Sequence, residues 1–142
     1  MLVRLLYASR ATSPVDHDAT ALILKQSKHN NTRLGITGVL CCCPSGIFLQ
    51  ALEGGRATVS QLYNRIAADP RHADVTLLSY EEIGERLFAG WSMGQVSLSR
   101  LNPALVMKYS ETAVLDPFSV SGDVSMALFN ELVATASIMG QA

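Results

Sequence analysis

The sequence predicts an α+β fold of the ferredoxin-like type, a β-α-β-β-α-β-β sheet with two helices on one face and a C-terminal helical tail. Short apolar strands alternate with segments whose apolar residues recur at helical spacing. Pro44-Ser45-Gly46 separates two apolar runs and indicates a hairpin. A chain of 142 residues is long enough for one two-layer core and a short tail.

The predicted strands are mainly apolar and are bounded by turn residues. We place them at Leu2–Ser9, Gly38–Cys43, Ile47–Glu53, Val75–Glu82 and Trp91–Leu98. The first and third strands are central neighbours in a ferredoxin-like sheet, so Tyr7 and Gln50 are expected to approach each other. In the last strand, alternation of side chains is expected to place Trp91, Met93 and Gln95 on one face.

The two predicted helices of the domain each carry one apolar stripe. The first begins at Asp16 or Asp18 and ends at Lys28, ahead of a polar loop over residues 30–38. The second covers Arg56–Ala68, where Asp69-Pro70 ends it.

The predicted tail contains two helices. Asn102-Pro103 opens a short one toward Tyr109, and Ser121-Gly122-Asp123 caps another that runs from Val124 to about Met139. The apolar stripe of the last helix is wide enough to need burial against the sheet or another subunit.

Composition and charge argue against nucleic-acid binding, membrane insertion and secretion. The net charge of −1 provides no basic surface for nucleic acid. No apolar run reaches the roughly 20 residues of a membrane helix, and the N-terminus is too polar for a signal peptide. We therefore expect a cytoplasmic protein that binds neither nucleic acid nor membrane.

The cysteines and histidines of the sequence do not have the spacing that is typical of metal ligands. Cys41, Cys42 and Cys43 are adjacent, so on a strand their side chains point to alternate faces. We interpret them as small apolar strand residues, with redox or modification chemistry as the alternative. His17 and His29 have no partner at ligand spacing and are interpreted as surface residues.

A candidate binding site for a planar ring is formed by polar residues on two strands and the loop between them. Tyr7 offers a phenol, and Gln50 and Asn31 each offer an amide that both donates and accepts. Ile23 and Ile66 lie on the apolar stripes of the two helices, which predicts a flat slot between them. Taken singly, each of these residues has an alternative reading as an ordinary core or surface residue.

Basic residues near the end of the second helix extend this candidate site. The side chains are those of Arg65, Arg71 and His72, which can bind carbonyl or phosphate oxygens. Their alternative reading is as solvated surface residues.

Five motifs, in order, resemble the BLUF family of blue-light sensors that use flavin. They are Arg4-Leu-Leu-Tyr7-Ala-Ser9, Asn30-Asn31 before Gly35-Ile-Thr-Gly38, Phe48-Leu-Gln50-Ala-Leu-Glu53-Gly54, Asp69-Pro-Arg-His72 and Trp91-Ser-Met93. The resemblance covers about the first 100 residues. It implies a flavin-binding domain over residues 1–100 and a helical extension over residues 101–142, as in short single-domain members without a catalytic effector domain.

The resemblance also implies roles for individual residues. Tyr7 is the expected electron and proton donor, Gln50 the amide relay between the phenol and the flavin, and Asn31 the residue that holds the carbonyl edge of the ring. Trp91 and Met93 are the expected output residues. Further flavin contacts are expected from Ser9, Ile23, Ser27, Asn30, Phe48, Arg65, Ile66, Arg71 and His72.

The expected cofactor is FAD, with FMN or riboflavin as alternatives. The resemblance further implies signalling to a downstream protein or through a homo-oligomer interface. Two other functions stay open from the residues alone. One is a light-insensitive interaction module with the same fold, and the other is a small acylphosphatase-like hydrolase that places Arg10 or Asn31 around a phosphate.

Overall fold

A six-stranded mixed sheet forms the centre of the molecule. The structure is a computed structural model that describes residues 1–12, 25, 27, 29–43, 45–97, 102–135 and 138–139. The strand order is β4-β1-β3-β2-β5-β6. The strands are β1 (Leu2–Ala11), β2 (Thr37–Cys42), β3 (Ile47–Gly55), β4 (His72–Ile83), β5 (Gly94–Ser97) and β6 (Ile138–Met139).

The pairing confirms the ferredoxin-like order. Strand β1 lies between β3 and β4 and is antiparallel to both. Strand β2 is antiparallel to β3, and β5 is parallel to β2. The β1/β3 register places Tyr7 directly opposite Gln50, and Arg4 directly opposite Glu53. The central strands therefore fix the positions of the two residues on which the predicted site depends.

The predicted loop over residues 30–38 is wrong in its first half. Residues 25, 27 and 29–34 are helical, and we call the helix of residues 29–34 α1. Gly35 then adopts a left-handed conformation with φ 70°, and the Ile36 N–H donates to the Asn31 carbonyl at 2.9 Å. This hydrogen bond is that of a Schellman motif, so glycine ends the helix after Leu34 rather than after Lys28. The predicted start of the helix, including Ile23, lies outside the described residues.

Helix α2 (Arg56–Ala67) confirms the second predicted helix, and Ala68 is its C-cap. The strand after it begins earlier than expected, because β4 starts at His72 and pairs with the end of β1. The last predicted strand is shorter, since β5 begins at Gly94. Trp91 and Met93 therefore precede the strand, and Leu98 lies outside the described residues.

The tail folds onto the sheet. Helix α3 (Pro103–Met107) is capped by the Asn102 side chain. Helix α4 (Gly122–Thr135) begins where the Ser121 hydroxyl accepts the Val124 N–H at 3.2 Å. The prediction that this helix continues to Met139 is wrong, because residues 138–139 pair with β5 as strand β6. That pairing covers backbone groups that an edge strand otherwise leaves exposed.

Two hydrophobic cores lie on opposite faces of the sheet. The helix-side core contains Val3, Leu5, Tyr7, Ile36, Leu40, Leu52, Val59 and Met93, with residues of α2 packed against it. The tail-side core contains sheet residues such as Leu6, Val39 and Leu49 together with Phe88, Leu115, Leu128, Phe129 and Leu132. The expected burial of the last helix is confirmed, since Leu128, Phe129 and Leu132 on α4 are all buried.

Candidate functional site

A short chain of side-chain contacts in the helix-side core joins three of the predicted residues. The Tyr7 hydroxyl donates a hydrogen bond to Gln50 Oε1. The Gln50 amide then donates from Nε2 to Met93 Sδ at 3.2 Å. All three side chains are buried. A thioether is a weak acceptor, and the amide carries a second N–H, so Gln50 keeps donor capacity for a stronger acceptor.

Tyr7 is held in its neutral form. Burial is the main cause that raises the pKa of its phenol well above the ordinary value, and the nearby Cys42, Tyr63 and Asp69 raise it further. The phenol therefore keeps its proton at neutral pH and donates it to the Gln50 carbonyl oxygen. A residue that gives up both an electron and a proton has to start in this protonated state.

Asn31 reaches the segment that follows Trp91. Its side chain is buried on α1, and its Nδ2 donates to the Ser92 carbonyl at 3.0 Å. The Gly38 N–H donates to the Trp91 carbonyl at 3.1 Å. The amides of Asn31 and Gln50 thus both contact the short segment from Ser92 to Met93.

A second polar group lies beside Tyr7. The Nε2 atom of His72 is 2.6 Å from the Ile66 carbonyl, and Nδ1 is 3.0 Å from the Ser9 hydroxyl. Because a carbonyl only accepts, Nε2 carries a proton and donates to the Ile66 carbonyl, and Nδ1 is hydrogen-bonded with the Ser9 hydroxyl. The His72 ring stands edge-on to those of Tyr7 and Phe48, with centroids 6.4 Å apart in each pair. His72 therefore ties the end of α2 to β1.

The remaining predicted contacts lie farther out. Asn30, Arg65 and Arg71 are exposed, and Ser27 is half-buried. Arg71 donates to both carboxylate oxygens of Asp69, and these hydrogen bonds hold the pKa of that carboxyl at about 2. The structure does not bring these basic side chains into contact with Tyr7 or Gln50.

Trp91 and Met93 are on opposite sides of the sheet, contrary to the prediction that they share a face. Met93 belongs to the helix-side core, whereas Trp91 packs against the tail-side core and stacks on Phe88. Both residues precede β5, which begins at Gly94, so strand alternation does not apply to them.

Three further residues of this region were not among the predicted site residues. Tyr63 on α2 has its ring centroid 5.7 Å from that of Tyr7. Glu53 on β3 is fully buried and binds both Arg4 and the loop after β4. Phe88 lies in that loop, buried between two other aromatic rings. The helical stripe containing Ile66 could have indicated Tyr63, but no local pattern marks Phe88.

The three cysteines alternate between the two faces of the sheet, as expected. Cys41 and Cys43 are buried in the tail-side core, and Cys42 packs on the opposite face. Burial raises the pKa of Cys42 to about 12 and that of Cys43 to about 11, so both thiols stay protonated. Among the described residues no group of His, Cys, Asp or Glu has the arrangement of a metal site. In the same part of the chain, no helix has the length and apolar character to cross a membrane.

The contacts give no support to a phosphate site at Arg10. Its guanidinium pairs with Asp74 at 3.4 Å and lies 4.2 Å from the centre of the Phe118 ring, on the side of the tail. Asn31 instead contacts Ser92. The two residues of the hydrolase alternative are engaged in separate structural roles.

The side chains of the helix-side core have the chemistry that a flavin site needs. Half-buried side chains that provide apolar and aromatic walls are those of Phe48, Leu62, Tyr63 and Ile66. The polar end is provided by the amide of Gln50, whose present acceptor is a sulfur atom. Ligand sites commonly combine apolar walls with a few directed polar groups of this kind.

Comparison with known proteins agrees with this chemistry. The family described as "Sensors of blue-light using FAD", BLUF, matches residues 2–94. The photoactivated adenylate cyclase subunit beta of Euglena gracilis is 37% identical over 93 residues. That match covers 65% of this chain but 11% of the Euglena protein. The chain thus spans a small part of the length of such curated relatives.

Two solved structures are similar over nearly their whole length. The photo-activated state of BlsA superposes with a TM-score of 0.84 at 30% identity, covering 98% of this chain and 100% of BlsA. The dark state of BlrB, a BLUF protein, gives a TM-score of 0.75 at 33% identity and covers 94% of this chain and 95% of BlrB. The chain belongs to the BLUF family of flavin-binding blue-light sensors.

Proposed function

We propose that this BLUF protein binds FAD noncovalently in the helix-side core and converts blue light into a rearrangement of the Gln50 amide. The observation that carries the proposal is the buried series of contacts from the Tyr7 phenol through Gln50 to Met93. The carbonyl end of the Gln50 amide accepts a hydrogen bond from Tyr7, and its NH₂ end donates one to Met93. Because the two ends have opposite hydrogen-bonding character, rearrangement of the amide changes both contacts, which is the property that a switch requires.

The proposed flavin contacts follow the arrangement of the site. Tyr7, Gln50 and Asn31 act at the polar edge of the ring, and Phe48 and Ile66 act as walls. We assign supporting contacts to Ser9, Ser27, Asn30, Arg65, Arg71 and His72, and we include Ile23 as a further wall residue from the apolar stripe of the first predicted helix. Arg65 and Arg71 are exposed cations and suit the phosphate end of FAD or FMN better than the ring.

In the proposed mechanism, Tyr7 supplies a proton and Gln50 rearranges its hydrogen bonds. When bound, flavin supplies absorption of blue light and an excited state that accepts an electron. Tyr7 would give up an electron together with its proton, the proton passing toward Gln50 Oε1 along the existing hydrogen bond, and would regain both when the separated charges recombine, which leaves Gln50 rearranged. Rotation or tautomerisation of the Gln50 amide removes the N–H from Met93 Sδ and presents different groups to the ring edge. A change at Gln50 therefore alters the segment that carries Met93 and Trp91.

We propose that output leaves through the tail, residues 101–142, toward a homo-oligomer interface or a separate downstream protein in the cytoplasm. In this view residues 1–100 act as the sensor and carry no catalytic effector activity. The packing of α4 on the sheet supports this route, because a helix with a buried stripe responds to movement of its neighbours.

Absorption spectroscopy tests the proposal. Purified protein should be yellow and should show a small, reversible red shift after blue light. Tyr7→Phe and Gln50→Leu should retain flavin and lose the red-shifted state, since each removes one partner of the hydrogen bond. Tyr80→Phe is the matched control, because its phenol is exposed on β4 and should leave the shift unchanged. A normal photocycle in Tyr7→Phe or Gln50→Leu contradicts the proposed role of that residue.

A further inference from the structure

Phe88 lies between Trp91 and the tail helix. It is 4% exposed and is part of the loop between β4 and β5. Its ring is stacked on Trp91, with centroids 5.7 Å apart and an interplanar angle of 20°. Its other neighbour is Phe129 of α4, at 6.2 Å and 82°. The three rings form a continuous contact from the loop to the centre of α4.

The backbone of Phe88 is fixed to the central sheet. Its N–H donates to Glu53 Oε1 at 2.9 Å, and the preceding Leu87 N–H donates to Glu53 Oε2 at 2.8 Å. The Phe88 carbonyl accepts the Trp91 N–H at 2.9 Å. Strand β3 therefore holds Phe88 through Glu53, three residues from Gln50.

The segment after Trp91 is the part of the loop that the site contacts. Gln50 donates to Met93 Sδ, and Asn31 donates to the Ser92 carbonyl. A change in either hydrogen bond alters the backbone next to Trp91, while the backbone of Phe88 stays anchored to Glu53 and its ring remains free to shift. Closely packed rings respond to such a change by moving between discrete arrangements rather than by gradual deformation.

We propose that Phe88 is a positioning residue for output, coupling Trp91 to α4 through its two ring contacts. The proposal rests on the proposed function, because it requires light to change the hydrogen bonds of Gln50. Phe88 itself takes no part in flavin binding or photochemistry. It determines whether displacement of Trp91 reaches Phe129.

Phe88→Leu tests the proposal, because it keeps an apolar side chain and removes both ring contacts. Phe118→Leu is the matched control, since Phe118 also packs against the tail-side core but lies against Arg10. Two readouts are needed in light and in darkness: the flavin absorption shift and hydrogen exchange of α4. Emission from Trp91, the only tryptophan in the sequence, reports on the loop itself.

We expect wild type and Phe118→Leu to show the red shift together with a light-dependent change in α4 exchange. Phe88→Leu should retain the red shift and a light-dependent change in Trp91 emission but lose the change in α4. Should Phe88→Leu fail to fold, Phe129→Leu removes the same contact from the other side and should give the same result. A wild-type α4 response in Phe88→Leu overturns the coupling role. If Phe88→Leu does not fold, a wild-type α4 response in Phe129→Leu overturns it instead.

The output role of Phe88 and the proposed photochemistry can fail separately. A red shift in wild type without any light-dependent change in α4 overturns the inference and leaves the proposed photochemistry in place. Absence of the red shift in wild type overturns the proposed photochemistry and the inference with it.

Discussion

Replacing Glu53 with glutamine should destabilise the fold far more than the same change at Glu81. The Glu53 carboxylate accepts from Phe88 N–H and the Thr37 hydroxyl at Oε1, and from Leu87 N–H and Arg4 Nε at Oε2. Glutamine keeps the volume but turns one of these acceptors into an NH₂ donor. In either orientation of the amide, at least one backbone N–H of the loop then lacks an acceptor.

The cost follows from burial. Glu53 is fully buried, whereas the side chain of Glu81, the other carboxylate paired with Arg4, is 48% exposed. An unsatisfied buried donor costs about 1–3 kcal/mol, and loss of a charge-assisted partner for Arg4 adds to it. We expect Glu53→Gln to lower the free energy of unfolding by about 3 kcal/mol. Glu81→Gln should lower it by less than about 1 kcal/mol.

Urea unfolding of the flavin-loaded proteins, followed by circular dichroism, measures both changes. The slope with urea should stay constant, so that a shift in midpoint reports stability. Equal losses for Glu53→Gln and Glu81→Gln would refute the reasoning, because they would show that burial of the carboxylate does not decide the cost.

Three further predictions concern packing and ionisation. Gly122→Ala should destabilise the docking of α4 by about 1–3 kcal/mol, measured by urea unfolding, because its Cβ would lie 1.7 Å from the Leu78 carbonyl oxygen. Gly84→Ala, whose Cβ meets nothing within 4 Å, is the control. Leu132→Ala should cost about 2–5 kcal/mol in the same assay, since this buried side chain belongs to the tail-side core. Burial raises the pKa of Tyr7 in the folded protein, so above about pH 10 the unfolded chain loses this proton while the folded protein keeps it. Wild type should therefore lose stability relative to Tyr7→Phe as the pH rises past that value. A parallel pH dependence of unfolding in the two proteins would contradict this assignment.

The central sheet was predictable because its register follows from few residues. Once Tyr7 is placed opposite Gln50, antiparallel pairing also places Arg4 opposite Glu53. A charged residue within each of two central strands is a signal of a buried ion pair. The ion pair could therefore have been derived from the sequence, and the loop contacts of Glu53 could not, because they depend on tertiary folding.

The errors lie where tertiary contacts override local patterns. Polar residues suggested a loop after Lys28, yet the helix continues until Gly35 provides the left-handed C-terminal residue. The apolar stripe of the last helix continued past Thr135, yet Ile138 pairs with Val96 on β5. In both places a backbone hydrogen-bonding requirement decided the structure, and side-chain periodicity did not report it.

The position of the segment from Phe88 to Met93 explains why output should depend on it. Tyr7, with its partner Gln50, and the tail helix α4 lie on opposite faces of the same sheet. Central strands are held by hydrogen bonds on both sides and resist displacement, whereas a loop held at a few points moves at lower cost. This segment places Met93 in the helix-side core and both Phe88 and Trp91 in the tail-side core. In the proposed output route, a change at Gln50 passes along this segment without requiring the central strands to move.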